Sequence, residues 1–239
     1  MKKIIFDYRY QLIFLVFFSM GIFYRIFNAN FEDYWLDEFF GFWISDPKLN
    51  LEQTFNRSFV TGGGQNLLFD FILKYFYLLF GYYPENGRYF TVILSSLTIP
   101  LVAILSYQID KSKSYLLSTF LISHCWYLIS YAQEVRSYSF GYLLSLISLI
   151  LFIALIKLEQ KKLILKYSLL IFALIINLLG LINHIFFGIV VVAQCFFLLN
   201  FTNDKGKLKF FIINFISLAI IYLVLMYPFL IKSLSSNSF

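Results

Sequence analysis

Seven apolar runs, separated by one long polar loop and otherwise short links, constrain this chain more than any other feature. They cover 10–27, 89–109, 115–132, 137–156, 167–182, 185–202 and 210–231. A helix needs ~20 predominantly apolar residues to cross the hydrocarbon core of a bilayer, and each run is close to that length. In water such a chain would not stay dispersed: 60% of its 239 residues are hydrophobic, 13% are charged, and Phe and Tyr number 31 and 18. In lipid those proportions are ordinary. The expected fold is all-α, a polytopic transmembrane helical bundle of about seven spans that forms a single domain over 1–239. Arg25 and Lys166, at the edges of two runs, are expected to snorkel toward the headgroups.

The net charge of +6 does not imply nucleic acid, because the basic residues are scattered through short links rather than gathered in a patch. Their distribution sets orientation instead. Lys2, Lys3 and Arg9 precede the first run, and every second link is basic: Lys111 and Lys113, then Lys157, Lys161, Lys162 and Lys166, then Lys205, Lys207 and Lys209. By the positive-inside rule that side, with the N-terminus, is cytoplasmic. The acidic residues run the other way. Glu32, Asp33, Asp37, Glu38, Asp46, Glu52, Asp70 and Glu85 fall in the first outer loop and Glu134 in the second. Met1-Lys2-Lys3 before an apolar run resembles a signal peptide, but no small-residue cleavage site follows, so the first run is read as a retained span. Cys125 and Cys195 each lie inside an apolar run and read as buried thiols, not as a disulfide or metal set.

The first extracytoplasmic loop, 28–88, is long enough to hold structure of its own. Trp35, Phe39, Phe42 and Trp43 recur at helical spacing, a stripe suited to lying in the membrane interface. Leu67, Leu68, Phe71, Ile72, Tyr75, Phe76 and Leu79 mark a second amphipathic helix, with Asp70 and Lys74 one turn apart on its polar side. Between them, Thr61-Gly62-Gly63-Gly64-Gln65 has the glycines of a phosphate cradle but no Lys-Ser/Thr after it, so it reads as a connector.

Chemistry is expected where charge meets these aromatics. Asp37 and Glu38 sit in Tyr34-Trp35-Leu36-Asp37-Glu38-Phe39-Phe40-Gly41. Carboxylates at such a surface are costly to desolvate, which strengthens a carboxylate as a general base. Adjacent helical residues point ~100° apart, so one is expected to face the site while the other positions or caps it. The structural alternative is a solvated first turn, which Asp and Glu also favour. Glu134 and Arg136 occupy a tight outer turn, where a guanidinium suits bidentate phosphate binding, a membrane anchor, or a local ion pair. Arg88 opens the second run and His184 lies in a further outer turn; either can meet a ligand or serve as an anchor. His124, inside a run, reads as a packed histidine.

The order of these features resembles the N-terminal portion of the GT-C superfamily of membrane glycosyltransferases. More narrowly, it resembles the branch holding protein O-mannosyltransferases, lipid A aminoarabinose transferases and bacterial Rgt-type sugar transferases. An Asp-Glu pair in the first outer loop is matched by Asp37-Glu38. A second amphipathic segment ending in Phe-Gly is matched by Gln65-Asn66-Leu67-Leu68 and Leu79-Phe80-Gly81, without the usual prolines. An Arg at the start of the second span is matched by Arg88. A Gln-Glu-Ala-Arg-x-Tyr-like turn is matched by Gln133-Glu134-Val135-Arg136-Ser137-Tyr138, and a His-Tyr-Phe-Gly-like turn by His184-Ile185-Phe186-Phe187-Gly188. The likeness spans roughly residues 10–200. Members of that branch carry more spans and a further C-terminal part, so the chain is expected to be incomplete at its C-terminus.

The resemblance implies a multi-pass protein of the bacterial inner (cytoplasmic) membrane. It implies transfer of a sugar from a polyprenyl-phosphate donor to a hydroxyl of a lipid, glycan or protein acceptor, on the extracytoplasmic side and with inversion. Asp37 would be the general base. Arg136, supported by Arg88 or Lys74, would stabilise the leaving phosphate. Glu38 and Glu134 would orient the acceptor or hold a divalent cation, with no other cofactor implied, and His184 would contact the ligand. A transporter or flippase of lipid-linked saccharides is the rival class, disfavoured because the runs hold almost no ionisable groups. A non-catalytic scaffold is the third.

Overall fold

The computed structural model describes residues 8–62, 66–158, 163–201 and 205–236, and no strand occurs among them. Lys2, Lys3, the connector positions 63–65, Lys161 and Lys162 lie outside the described residues, as do the side chains of Lys205, Lys207 and Lys209. The helices are α1 (Tyr8–Ile26), α2 (Leu36–Ile44), α3 (Leu51–Gly62), α4 (Leu67–Phe80), α5 (Pro84–Asp110) and α6 (Ser114–His124). They continue as α7 (Trp126–Ala132), α8 (Tyr138–Lys157), α9 (Leu163–Asn183), a 3₁₀ turn (Ile185–Phe187), α10 (Gly188–Phe201) and α11 (Lys205–Ser236).

Helices fall on all seven expected runs, and among the described residues four of them, within α1, α5, α8 and α9, are long and apolar enough to cross a membrane. These four make the chain a helical membrane protein. The third run differs from expectation: an extended backbone at Cys125 divides it into α6 and α7, each too short to span. The sixth falls on the 3₁₀ turn and α10, and the seventh lies within α11.

α5 is the axis of the bundle, packing against α1, α4, α6, α7 and α8. Pro84 at its first turn starts it, since the missing N–H would have been unsatisfied there anyway. Its buried threonines return their hydroxyls to the helix itself, Thr91 Oγ1 donating to the Arg88 carbonyl at 2.9 Å. Arg25 departs from the snorkelling expected of it. It is fully buried, and it donates to Ser95 Oγ (2.9 Å), the Gly21 carbonyl (2.9 Å) and the Ile122 carbonyl (3.1 Å), fastening α1 to α5 and α6. Gly21 permits this, because a Cβ there would lie 2.6 Å from Ile99 and 2.7 Å from Ser123 Oγ. With α1 this close, neighbouring carbonyls satisfy the guanidinium that would otherwise have to reach for water. Farther along, Gln194 Nε2 donates to Ser148 Oγ at 2.7 Å and Ser148 Oγ to Asn177 Oδ1, tying α10, α8 and α9 together.

The two ends of the bundle carry opposite charge. Lys113 meets the Tyr10 hydroxyl and Lys157 the Gln108 carbonyl at one end. Asp37, Glu38 and Glu134 gather at the other, where α2, α3 and α4 form a cap over α5.

Within that cap, the polar side of α4 is the buried one. Phe69, Asp70, Leu73, Lys74 and Tyr77 face inward, while Tyr75, Leu78 and Leu79 are exposed. In a membrane protein the apolar face can meet lipid, whereas a carboxylate and an ammonium must find partners inside. Two of the partners, Thr54 and Ser58, come from α3, a helix the apolar pattern does not reveal. Its signal is a reciprocal cap: Gln53 N–H donates to Asn50 Oδ1 (2.8 Å) and Asn50 N–H to Gln53 Oε1 (2.9 Å).

Candidate active site

Asp37 and Glu38 lie in the first turn of α2, and the helix turns them to different tasks. Glu38 points inward and is 1% exposed. Its Oε1 accepts from Arg88 Nε (3.2 Å) and from the Val135 N–H (2.9 Å), and its Oε2 accepts from Arg88 Nη2 (3.0 Å). Arg88 completes its set with the carbonyls of Ala29 (3.0 Å), Glu32 and Asp33 (3.2 Å). Those five bonds use every N–H a guanidinium has. Arg88 is also buried, beneath the Tyr34 ring. It therefore offers no donor to a phosphate, and the expected phosphate role gives way to a clamp joining α2, α5, the 29–33 segment and the 133–137 turn. Gly87, next to it, is required by space: a Cβ would lie 2.1 Å from the Tyr77 hydroxyl and 2.7 Å from that of Tyr34.

Asp37 points outward and pairs with Arg136 through Oδ2 and Nη2. This pair is open, the side chains being 41% and 23% exposed. The Arg136 guanidinium lies over the rings of Trp35 (4.8 Å) and Tyr138 (5.1 Å), which fix its plane. Arg136 thus pairs with Asp37 and not with its sequence neighbour Glu134. The pairing of adjacent carboxylates with two arginines far apart in sequence is what the fold contributes.

Lys74 does not join this group. Its ammonium is buried and donates to the carbonyls of Asp46 (3.2 Å) and Leu49 and to Thr54 Oγ1 (3.0 Å); burial pushes it below the usual lysine range. One turn earlier, Ser58 Oγ donates to Asp70 Oδ2 at 2.7 Å. Thr54 and Ser58 on α3 thus face Lys74 and Asp70 on α4 as two rungs of one polar seam. Asp70 has no cation beside it, and burial raises its carboxyl to about 7.

Two cavities flank the start of α2. The smaller, about 210 Å³, is polar and is bordered by Asp37, Arg136, Ser58, Asn66, Asp70 and Ser137. The larger, about 600 Å³, is bordered by Glu38, Arg88, Glu134, His124, Trp35 and Trp126 among others. Glu134 therefore opens on a different cavity from Asp37. Its Oε2 is buried without a partner, and burial, followed by the charge of Glu38, raises its carboxyl above the usual range. His124 ends α6 at the wall of the larger cavity, its ring between those of Tyr24 and Phe120.

His184 follows α9. Its Nδ1 accepts from the Phe186 N–H (3.2 Å), so the ring caps the 3₁₀ turn and packs near Tyr138. Burial, then the nearby Arg136 charge, lowers its pKa. Gln133 carries no expected role beyond its place in the matched turn, yet its amide donates to the carbonyls of Tyr24 (3.3 Å), Arg25 (3.2 Å) and Phe27 (2.8 Å) and so closes the C-terminal end of α1. Among the described residues, no group of three or more His, Cys, Asp or Glu side chains forms a metal cluster.

Fold and site together define an all-α membrane protein with an open carboxylate–guanidinium pair at the mouth of a polar cavity. No protein-family model, curated protein or solved structure matches the chain.

Proposed function

We propose that this chain is a membrane glycosyltransferase of the GT-C type, moving a sugar from a polyprenyl-phosphate donor to an acceptor hydroxyl at the extracytoplasmic face. The observation that carries this reading is the open Asp37–Arg136 pair, held at a cavity mouth by the buried Glu38–Arg88 clamp beside it.

The donor's tail has an apolar surface to follow: Leu36, Phe39, Phe40 and Trp43 of α2 are exposed. Its phosphate reaches Arg136 at the same end of α2 and takes the place Asp37 holds in the resting pair. Asp37, released, accepts the proton of the acceptor hydroxyl as that oxygen bonds to the anomeric carbon. The bond from that carbon to the phosphate oxygen breaks with its electron pair, and Arg136 stabilises the charge that develops. Attack from the face opposite the phosphate inverts the configuration. Glu38 and Arg88 position α2, and Glu134 is the carboxylate left to meet a ligand or a divalent cation in the larger cavity. Seven spans with the N-terminus in the cytoplasm belong to this reading, which the basic and acidic ends of the bundle support.

Transport is the weaker reading. Arg25, the ionisable group buried in α1, spends its donors on neighbouring helices and lines neither cavity. The test is Asp37→Asn in membranes supplied with a labelled prenyl-linked sugar. Normal transfer by the variant would remove Asp37 as the base.

A further inference from the structure

The smaller cavity is built for something other than the donor. Its volume, about 210 Å³, falls below the ~300 Å³ at which pockets begin to hold drug-sized ligands. A prenyl chain does not fit such a space, nor does a folded peptide segment; a single sugar ring does. Its polar border is mixed: the carboxyls of Asp37 and Asp70, the hydroxyls of Ser58, Thr61 and Ser137, the amide of Asn66 and the guanidinium of Arg136. Ile44, Phe69 and Val135 supply apolar wall, which suits the C–H faces of a ring.

The charges of this border are already balanced where they are strongest. Arg136 is paired with Asp37. Asp70 is 3% exposed and bonded through one oxygen to Ser58. Asn66 spends its carbonyl on the Ser137 hydroxyl (2.7 Å), which leaves its NH₂ as a donor. A buried carboxyl and a side-chain amide NH₂ bordering one cavity are the acceptor and donor that read a hydroxyl pair. Neither helps an apolar ligand.

We propose that this cavity between α2, α3, α4 and the 133–137 turn binds one neutral hexose-sized ring, with Asp70 and Asn66 reading its hydroxyls. Resting on the transfer reading, the same site makes the acceptor a terminal sugar, because Asp37 borders the cavity that would hold the ring. Asp70 is a binding residue of this site and Ser58 its positioning residue.

The experiment is ligand-observed NMR on the full chain in nanodiscs with a panel of methyl hexopyranosides. Cyclohexanol serves as the apolar control. At least one methyl hexoside is expected to bind and the control to fail. Asp70→Asn is expected to weaken binding about tenfold, the equivalent of ~1.4 kcal/mol, and Asn66→Ala and Ser58→Ala severalfold. Melting temperature reports whether each variant folds, and either of the last two serves if Asp70→Asn does not. No binding by any hexoside, equal binding by cyclohexanol, or unchanged affinity in the folded variants overturns the proposal. Binding needs no turnover, so the two readings fail separately. Hexoside binding with no transfer by the wild type would sink the transfer reading alone. Asp37-dependent transfer without hexoside binding would sink this one alone.

Discussion

Glu38 and Asp37 are neighbours on one helical turn, each paired with an arginine, and they differ in almost everything else. The Glu38–Arg88 pair is sealed, 1% and 6% exposed, with further bonds from both partners into the backbone. The Asp37–Arg136 pair stands open. A sealed pair is costly to break and has nothing to give a ligand. An open pair contributes little to stability and can exchange its partner. Asp70 adds a third case, buried like Glu38 but facing a hydroxyl where Glu38 faces a cation. Accessibility, and not residue type or local sequence, separates the structural carboxylate from the one open to a ligand.

The comparison can be broken at the clamp first. Glu38→Ala leaves Arg88 buried and uncompensated, which is expected to cost about 3–5 kcal/mol. Thermal melts in detergent should show the loss, with transfer failing as the fold fails. Replacing both partners, Glu38→Leu with Arg88→Met, should recover a large part of the stability but not the alignment of α2.

Asp70 sharpens the contrast through pH. Its folded carboxyl, raised to about 7 from 3.8, holds a proton that the unfolded chain releases. Below the unfolded value both states are protonated and nothing is lost. As pH rises through the interval up to about 7, the wild type loses stability relative to Asp70→Asn. The slope approaches ~1.4 kcal/mol per pH unit at its steepest and flattens above the folded value. Melting both proteins across pH 5 to 8 checks this; a constant difference would show that Asp70 titrates normally.

A smaller effect is expected at the start of α3. Asn50→Ala removes one half of the reciprocal cap and should cost ~1 kcal/mol, loosening the helix that supplies Thr54 and Ser58. The smallest stability change belongs to Asp37→Asn, within ~1 kcal/mol for a half-exposed pair. The same substitution is expected to lower transfer by ~10²–10⁴-fold. A variant that melts like the wild type yet fails to transfer would be the clearest sign that the open pair carries the chemistry.

Much of the frame was legible in the residues. Hydropathy located a helix on every apolar run, and the charge pattern predicted that Asp37, Glu38, Glu134 and Arg136 would share one end. Local sequence also showed that Asp37 and Glu38 must diverge, because 100° separates them on a helix. It placed Asp70 and Lys74 on the polar side of α4 without showing that this side is buried, because helical periodicity shows that a helix has two faces but not which solvent each one meets. α3 was missed because its signal is a cap and not an apolar stripe. The break at Cys125 left no mark in the apolar run that contains it.

The sequence by itself determined that this chain is helical, that it belongs to lipid, and that its acidic charge lies in the loops at one end. Those properties follow from composition and spacing, which act locally. Only the tertiary structure decided which arginine each carboxylate meets, that Arg25 turns inward, and that Asp70 shares a cavity with Asp37. These pairings join residues from about 50 to 100 positions apart, or depend on a helix docking face down. Their energies depend on burial, which no stretch of sequence fixes until the helices pack.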